Sequence, residues 1–220
     1  MNQLKKFTLF AALFAVLFGC QQNESLDINE IYSPDELSVL SSKLNLPDSP
    51  FDYSLGNPFN VSDVNHKATL GRVLFYDKNL SADGKVSCAS CHQQALAFSD
   101  DKAFSDGPNG NVTDRNSIAL ASLRSFGGHY DKTILGDATP GLFWDERVET
   151  IKEQLKQTIN NPNEMGMELH QITNLMENTD HYQILNEKAF GTSEVTEEHI
   201  LEALETVSYT HLTLPTICSV

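Results

Sequence analysis

The sequence predicts an all-α fold, and three observations predict it. Apolar residues recur at helical spacing in several separate segments. No segment shows the apolar-polar alternation of a half-buried strand. A Cys-x-x-Cys-His run, Cys88-Ala89-Ser90-Cys91-His92, stands between a helical segment and a long polar loop.

Taken in chain order, the first element is an export signal. Lys5 and Lys6 precede an almost wholly apolar run over residues 7–18, too short for the roughly 20 residues that span a bilayer. Leu17-Phe18-Gly19-Cys20 follows, similar to the cleavage box of a bacterial lipoprotein, which makes residues 1–19 a signal peptide and Cys20 a lipid anchor. Either as a lipoprotein or with an ordinary secretory signal, the chain is expected outside the cytoplasm, in the periplasm or cell envelope. Residues 20–64 read as tether and N-terminal extension: a polar stretch to about residue 32, a helix start at Ser33-Pro34-Asp35-Glu36, then an irregular linker holding Pro47, Pro50 and Pro58.

From Asn65 the pattern turns helical, with Leu70, Val73 and Leu74 on one face, ending at Tyr76-Asp77. The turn Ser81-Ala82-Asp83-Gly84 leads into the Cys-x-x-Cys-His run. Residues 99–114, rich in Gly, Asp and Asn, read as a long loop of the kind that has a functional reason in a small domain. Val148, Ile151, Leu155 and Ile159 then recur at helical spacing, as do Leu169, Ile172 and Met176. Ile200, Leu201, Leu204 and Val207 follow the cap Thr196. Residues 65–207 are expected to form one domain. Residues 208–220 break the last helical pattern in mid-course and resemble translated sequencing-adapter sequence, so a non-native tail is expected after Val207.

Charge narrows the partners. The chain carries a formal net charge of -15, and loss of the two signal lysines leaves 13 basic and 30 acidic side chains, about -17. An acidic surface argues against nucleic acid and against an anionic membrane as partner, and suits a basic redox protein.

Cys-x-x-Cys-His is the pattern of covalent c-type haem attachment: two thiols bond the haem vinyl groups and the adjoining histidine ligates the iron. With 4 Cys and 7 His in 220 residues, an accidental match arises about two times in a thousand. A zinc half-site needs two further compactly spaced ligands, and a thioredoxin-like pair needs neighbouring strands. The sequence offers neither. With Cys20 lipidated, only Cys88, Cys91 and Cys218 remain, which is no disulfide framework.

The blocks around the motif carry a family. Leu70-Gly71-Arg72-Val73-Leu74-Phe75-Tyr76-Asp77, Leu80-Ser81 and the haem motif, followed in order by Phe143-Trp144-Asp145 and Asn161-Pro162-Asn163-Glu164-Met165-Gly166, resemble the N-terminal, peroxide-reacting haem domain of bacterial di-haem cytochrome c peroxidases and their MauG-like relatives. The resemblance implies a cytochrome c-like haem domain, with a second haem domain beyond this chain. It implies His92 as proximal iron ligand and Glu164 as the carboxylate beside the open iron face. Gln154 is implied to line the same pocket, Trp144 to lie between the haems, and Asn116 to ligate a calcium ion. It further implies hydrogen peroxide as substrate, a small cytochrome c or copper protein as electron donor, and a homodimer as a permitted assembly.

The implied roles are chemically coherent. Cleaving the O–O bond of peroxide requires a group that takes a proton from one oxygen and delivers it to the other, which a carboxylate in a partly desolvated pocket is suited to do. Many of these peroxidases carry a histidine after the haem motif that blocks the iron until the other haem is reduced. Here no histidine lies between Gln93 and Arg124, so an open or water-bound iron is expected, with His129 the substitute candidate. Met165 and Met167 would be axial ligands in a simple electron-transfer cytochrome, the third alternative after peroxidase and MauG-like oxidase; core packing is the expectation for both.

Overall fold

The structure, a computed structural model, describes residues 33–43, 61–120 and 141–210. The signal segment, Cys20, the proline linker, His129 and Cys218 lie outside the described residues. Within them the protein is helical, with only isolated bridges such as Gln93 with Ser99 and Leu142 with Val148, as the sequence predicts.

Among the described residues seven α-helices follow one another: α1 (Pro34–Lys43), α2 (Val61–Tyr76), α3 (Cys88–Cys91), α4 (Ile151–Asn160), α5 (Leu169–Glu177), α6 (Asp180–Phe190) and α7 (Glu197–Thr210). Their starts are chemically marked. The Ser33 N–H donates to Glu36 at 2.6 Å and the Glu36 N–H to the Ser33 hydroxyl at 3.3 Å, the reciprocal capping box expected there. Thr150 and Glu153 repeat it at α4. Thr196 caps α7 by accepting from the His199 N–H at 3.2 Å.

Three boundaries differ from the sequence reading. Helix α2 begins at Val61 rather than Asn65. Val148 lies before α4, bridged to Leu142 instead of helical. Helix α7 continues past Val207 to Thr210, and Ser208, expected to break it, is buried with its hydroxyl donating to the Leu204 carbonyl. A helical serine satisfies its hydroxyl in this way at little cost.

The core is built where α2 crosses α7. Leu70, Val73 and Leu74 of α2 meet Ile200, Leu201 and Leu204 of α7, with Ile172 and Met176 of α5 and Tyr182 and Leu185 of α6 completing the cluster. Gly71 makes the crossing close: a Cβ there would lie 2.0 Å from the Ala203 carbonyl oxygen. Lys67 ties the same pair of helices to each other through Glu202 at 2.6 Å. Met165 is buried in this cluster and Met167 packs against it, so both serve packing.

Candidate haem site

Helix α3 is a single turn that puts the two motif thiols on one surface. Its N-terminus is shaped by small polar residues, the Ser87 N–H donating to the Ser90 hydroxyl at 3.0 Å, and His92 closes it with its N–H on the Cys88 carbonyl at 2.9 Å. Both cysteines are free and half-buried. Burial pushes the Cys88 thiol up to about 12, with Cys91 and Glu164 adding to it; burial also raises Cys91. Both therefore stand as neutral thiols at neutral pH.

The His92 ring is held from two sides. Its Nδ1 lies 2.9 Å from the Phe98 carbonyl oxygen and 3.1 Å from the Ser117 hydroxyl. A carbonyl only accepts, so Nδ1 carries the proton and Nε2 keeps its lone pair. Ser117 spends its own proton on the Cys91 carbonyl at 2.8 Å, which leaves its oxygen to accept from Nδ1. Burial also lowers the His92 pKa, keeping the ring neutral, as an iron ligand must be.

Phe98 is aimed by strain. Ala97 and Phe98 both adopt left-handed backbone, with φ of 57° and 58°, at a cost of order 1–3 kcal/mol per residue. The bend turns the Phe98 carbonyl onto His92 and drives its ring into the core, where it meets Phe75 edge-on at 6.4 Å.

Two neighbouring free thiols and an imidazole with Nδ1 occupied and Nε2 available form the donor set of covalent haem c, so the residues present fit that group. Cys88, Cys91 and His92 would hold it.

Glu164 lies near enough for its charge to bear on both thiols. It follows α4 in the loop that Asn161 organises: the Asn161 carbonyl accepts the N–H groups of Glu164, Met165 and Gly166 at 2.9–3.1 Å. The Asn161 side-chain amide donates to the Glu164 carboxylate at 2.8 Å. Burial raises the Glu164 pKa above the ordinary carboxylate range, against hydrogen bonds from Thr158 and Asn161 and the positive charge of Arg147. Gln154, half-buried, stands one helical turn before Thr158 on the same face of α4.

Trp144 is 56% exposed, and its indole N–H donates to the Asn116 carbonyl at 3.0 Å. The structure thus joins Trp144 and Asn116, and Ser117, next in the chain, joins both to His92. Asn116 is exposed. Sequence reasoning missed Ser117, Phe98, Thr158 and Asn161. Asn161 alone carried a local signal, an Asn three residues before a Glu at a helix end.

The chain belongs to the di-haem cytochrome c peroxidase family, whose profile matches residues 65–215. It is 31% identical over 163 residues to the methylamine utilization protein MauG of Methylophilus methylotrophus, covering 74% of this chain and 43% of that one. It is 30% identical over 138 residues to the cytochrome c551 peroxidase of Nitrosomonas europaea, covering 62% of this chain and 37% of that protein. The fold matches the crystal structure of a MauG-like protein associated with microbial copper homeostasis, with a TM-score of 0.58, 26% identity, and 77% and 45% of the two chains covered. The chain spans less than half the length of these relatives.

Proposed function

We propose that this chain is the peroxide-reacting haem domain of an exported, lipid-anchored peroxidase. The enzyme reduces hydrogen peroxide to water with electrons that a small cytochrome c or copper protein delivers through a second haem domain. The observation that carries the reading is Glu164, a half-buried carboxyl with a raised pKa whose charge reaches both motif thiols.

When bound, haem c supplies the iron at which peroxide is reduced. The chain's residues do the rest. Glu164 Oε accepts a proton from one peroxide oxygen and returns it to the other, Asn161 and Thr158 holding the carboxylate in place. Gln154 orients the substrate by hydrogen bonds without titrating. His92 is fixed by Phe98 and Ser117, which set its donor strength. Trp144 offers an exposed indole toward the second domain, and Asn116 a calcium ligand at the same face. With no histidine between Gln93 and Arg124 to compete for the iron, bound haem would keep a position for peroxide.

A second reading is favoured by the MauG relative: the same site oxidising a protein or organic substrate. The test is rapid mixing of the full-length holoprotein with peroxide and a reduced small cytochrome. Catalytic oxidation of the cytochrome is expected. Peroxide consumption with a protein substrate alone would give the MauG-like reading. Failure to bind cyanide or react with peroxide would leave a simple electron carrier.

A further inference from the structure

Among the described residues Tyr182 is the largest of the fully buried side chains, 1% exposed, yet it carries a hydroxyl that the haem site does not use. Phenylalanine would fill the same space in α6 without a polar group to satisfy. The hydroxyl donates to Asp77 Oδ2, across 105 residues of chain. Asp77 Oδ1 accepts from the Asn79 backbone N–H at 2.8 Å and from its amide at 2.9 Å, so the carboxylate is fixed in place.

An aromatic array runs from Phe98, whose carbonyl holds His92, to Tyr76, the residue before Asp77. His92 bonds the Phe98 carbonyl. The Phe98 ring meets Phe75 at 6.4 Å, and Phe75 meets Tyr76 edge-on at 5.3 Å. Asp77 is the next residue, and Tyr182 shares one continuous core with Phe75 and Phe98.

We propose that Tyr182, with Asp77 as its proton acceptor, is a redox-active tyrosine that exchanges an electron with the haem site; the assignment of the oxidant rests on the peroxidase reading above. A buried phenol loses an electron at low cost only when its proton leaves with it, because an isolated radical cation is poorly solvated in an apolar core. The hydrogen bond to Asp77 supplies that exit. Burial and the Asp77 charge hold the phenol protonated well above its ordinary range, so the electron is lost from the phenol and not from a phenolate.

In the step, Tyr182 gives one electron to a one-electron oxidant formed at the haem by peroxide, and its hydroxyl proton passes to Asp77 Oδ2. The O–H bond of Tyr182 breaks and an O–H bond on Asp77 forms, leaving a neutral phenoxyl radical and a neutral carboxylic acid. The oxidant gains the electron. Return of an electron from a donor and of the proton from Asp77 restores the pair, so Tyr182 holds an oxidising equivalent when the donor is late.

The test uses the full-length holoprotein, with electron paramagnetic resonance of freeze-quenched samples in two arms: peroxide, and a photogenerated ruthenium(III) polypyridyl oxidant that needs no peroxide chemistry. A tyrosyl signal is expected in both arms, lost in Tyr182→Phe and weakened in Asp77→Asn, with circular dichroism confirming that both variants fold. An undiminished signal in Tyr182→Phe, or no tyrosyl signal in either arm while peroxide is consumed, overturns the proposal and leaves the peroxidase reading standing. A Tyr182 radical in the ruthenium arm alone, with no reaction in the peroxide arm, sinks the peroxidase reading and keeps the tyrosine.

Discussion

Glu164 holds its proton more tightly in the folded protein than in the unfolded chain, because burial outweighs the hydrogen bonds from Thr158 and Asn161. The raised value makes its stabilising contribution fullest below the unfolded pKa, and that contribution is lost as pH rises through the folded one. Glu164→Gln keeps an oxygen for Asn161 and removes the charge. The variant is expected to be more stable than wild type at neutral pH, with the gap closing below about pH 4, as read by urea unfolding across that range. It is also expected to react with peroxide about 10²–10⁴ times more slowly, the usual worth of a positioned proton carrier. Ser117→Ala tests the other side of the site: it removes an acceptor for the His92 Nδ1 proton, so the ligand donates less and the iron reduction potential is expected to rise in a redox titration. His92 and its cysteines are legible in five consecutive residues. Their partners are not, since Ser117 acts from 25 residues away and Phe98 through a backbone carbonyl that any residue carries.

At the scale of elements, the crossing of α2 on α7 decides the fold, and Gly71 decides the crossing. Alanine there gains up to about 1 kcal/mol of helix propensity, but its Cβ meets backbone at 2.0 Å, which no rotamer relieves. Overpacking wins: Gly71→Ala is expected to lose about 1–3 kcal/mol in chemical denaturation. The periodic segments behind α5 and α7 read correctly because each presents one apolar stripe to this crossing; α4 read correctly from Ile151 on, with Ile159 in this core and Ile151 packed with Leu142 and Val148. Helix α6 went unread although Tyr182, Leu185 and Ala189 have helical spacing, with Gly191 ending it in left-handed backbone. Its stripe is interrupted by Asn186, buried because its amide ties down the carbonyls of Thr192 and Glu194, so the side chain reads as polar and behaves as core. The ends of α2 and α7 were misplaced for a related reason: caps and tertiary contacts, not periodicity, set helix boundaries.

For the whole molecule, two surface properties lead outward from the site. Trp144 is more than half exposed, so Trp144→Ala is expected to cost about 1 kcal/mol or less in urea unfolding, against the 3–5 kcal/mol of a buried aromatic. Its large apolar area is therefore available to a neighbouring domain. The second property is charge. At -15, the chain repels acidic proteins and attracts basic ones at distances beyond contact, and the exposed Asp101 and Asp114 place part of that charge in the loop after the haem motif, where Asp106 is paired with Lys102. Such steering is screened over about 10 Å at 0.1 M ionic strength. The second-order rate with a basic electron donor is therefore expected to fall on the order of tenfold from low to physiological salt, measured as donor oxidation at fixed peroxide. An acidic donor should show the opposite slope. A rate with the basic donor that is flat in salt would mean that the docking face lies away from this charge, and would return the acidity to a role in solubility alone.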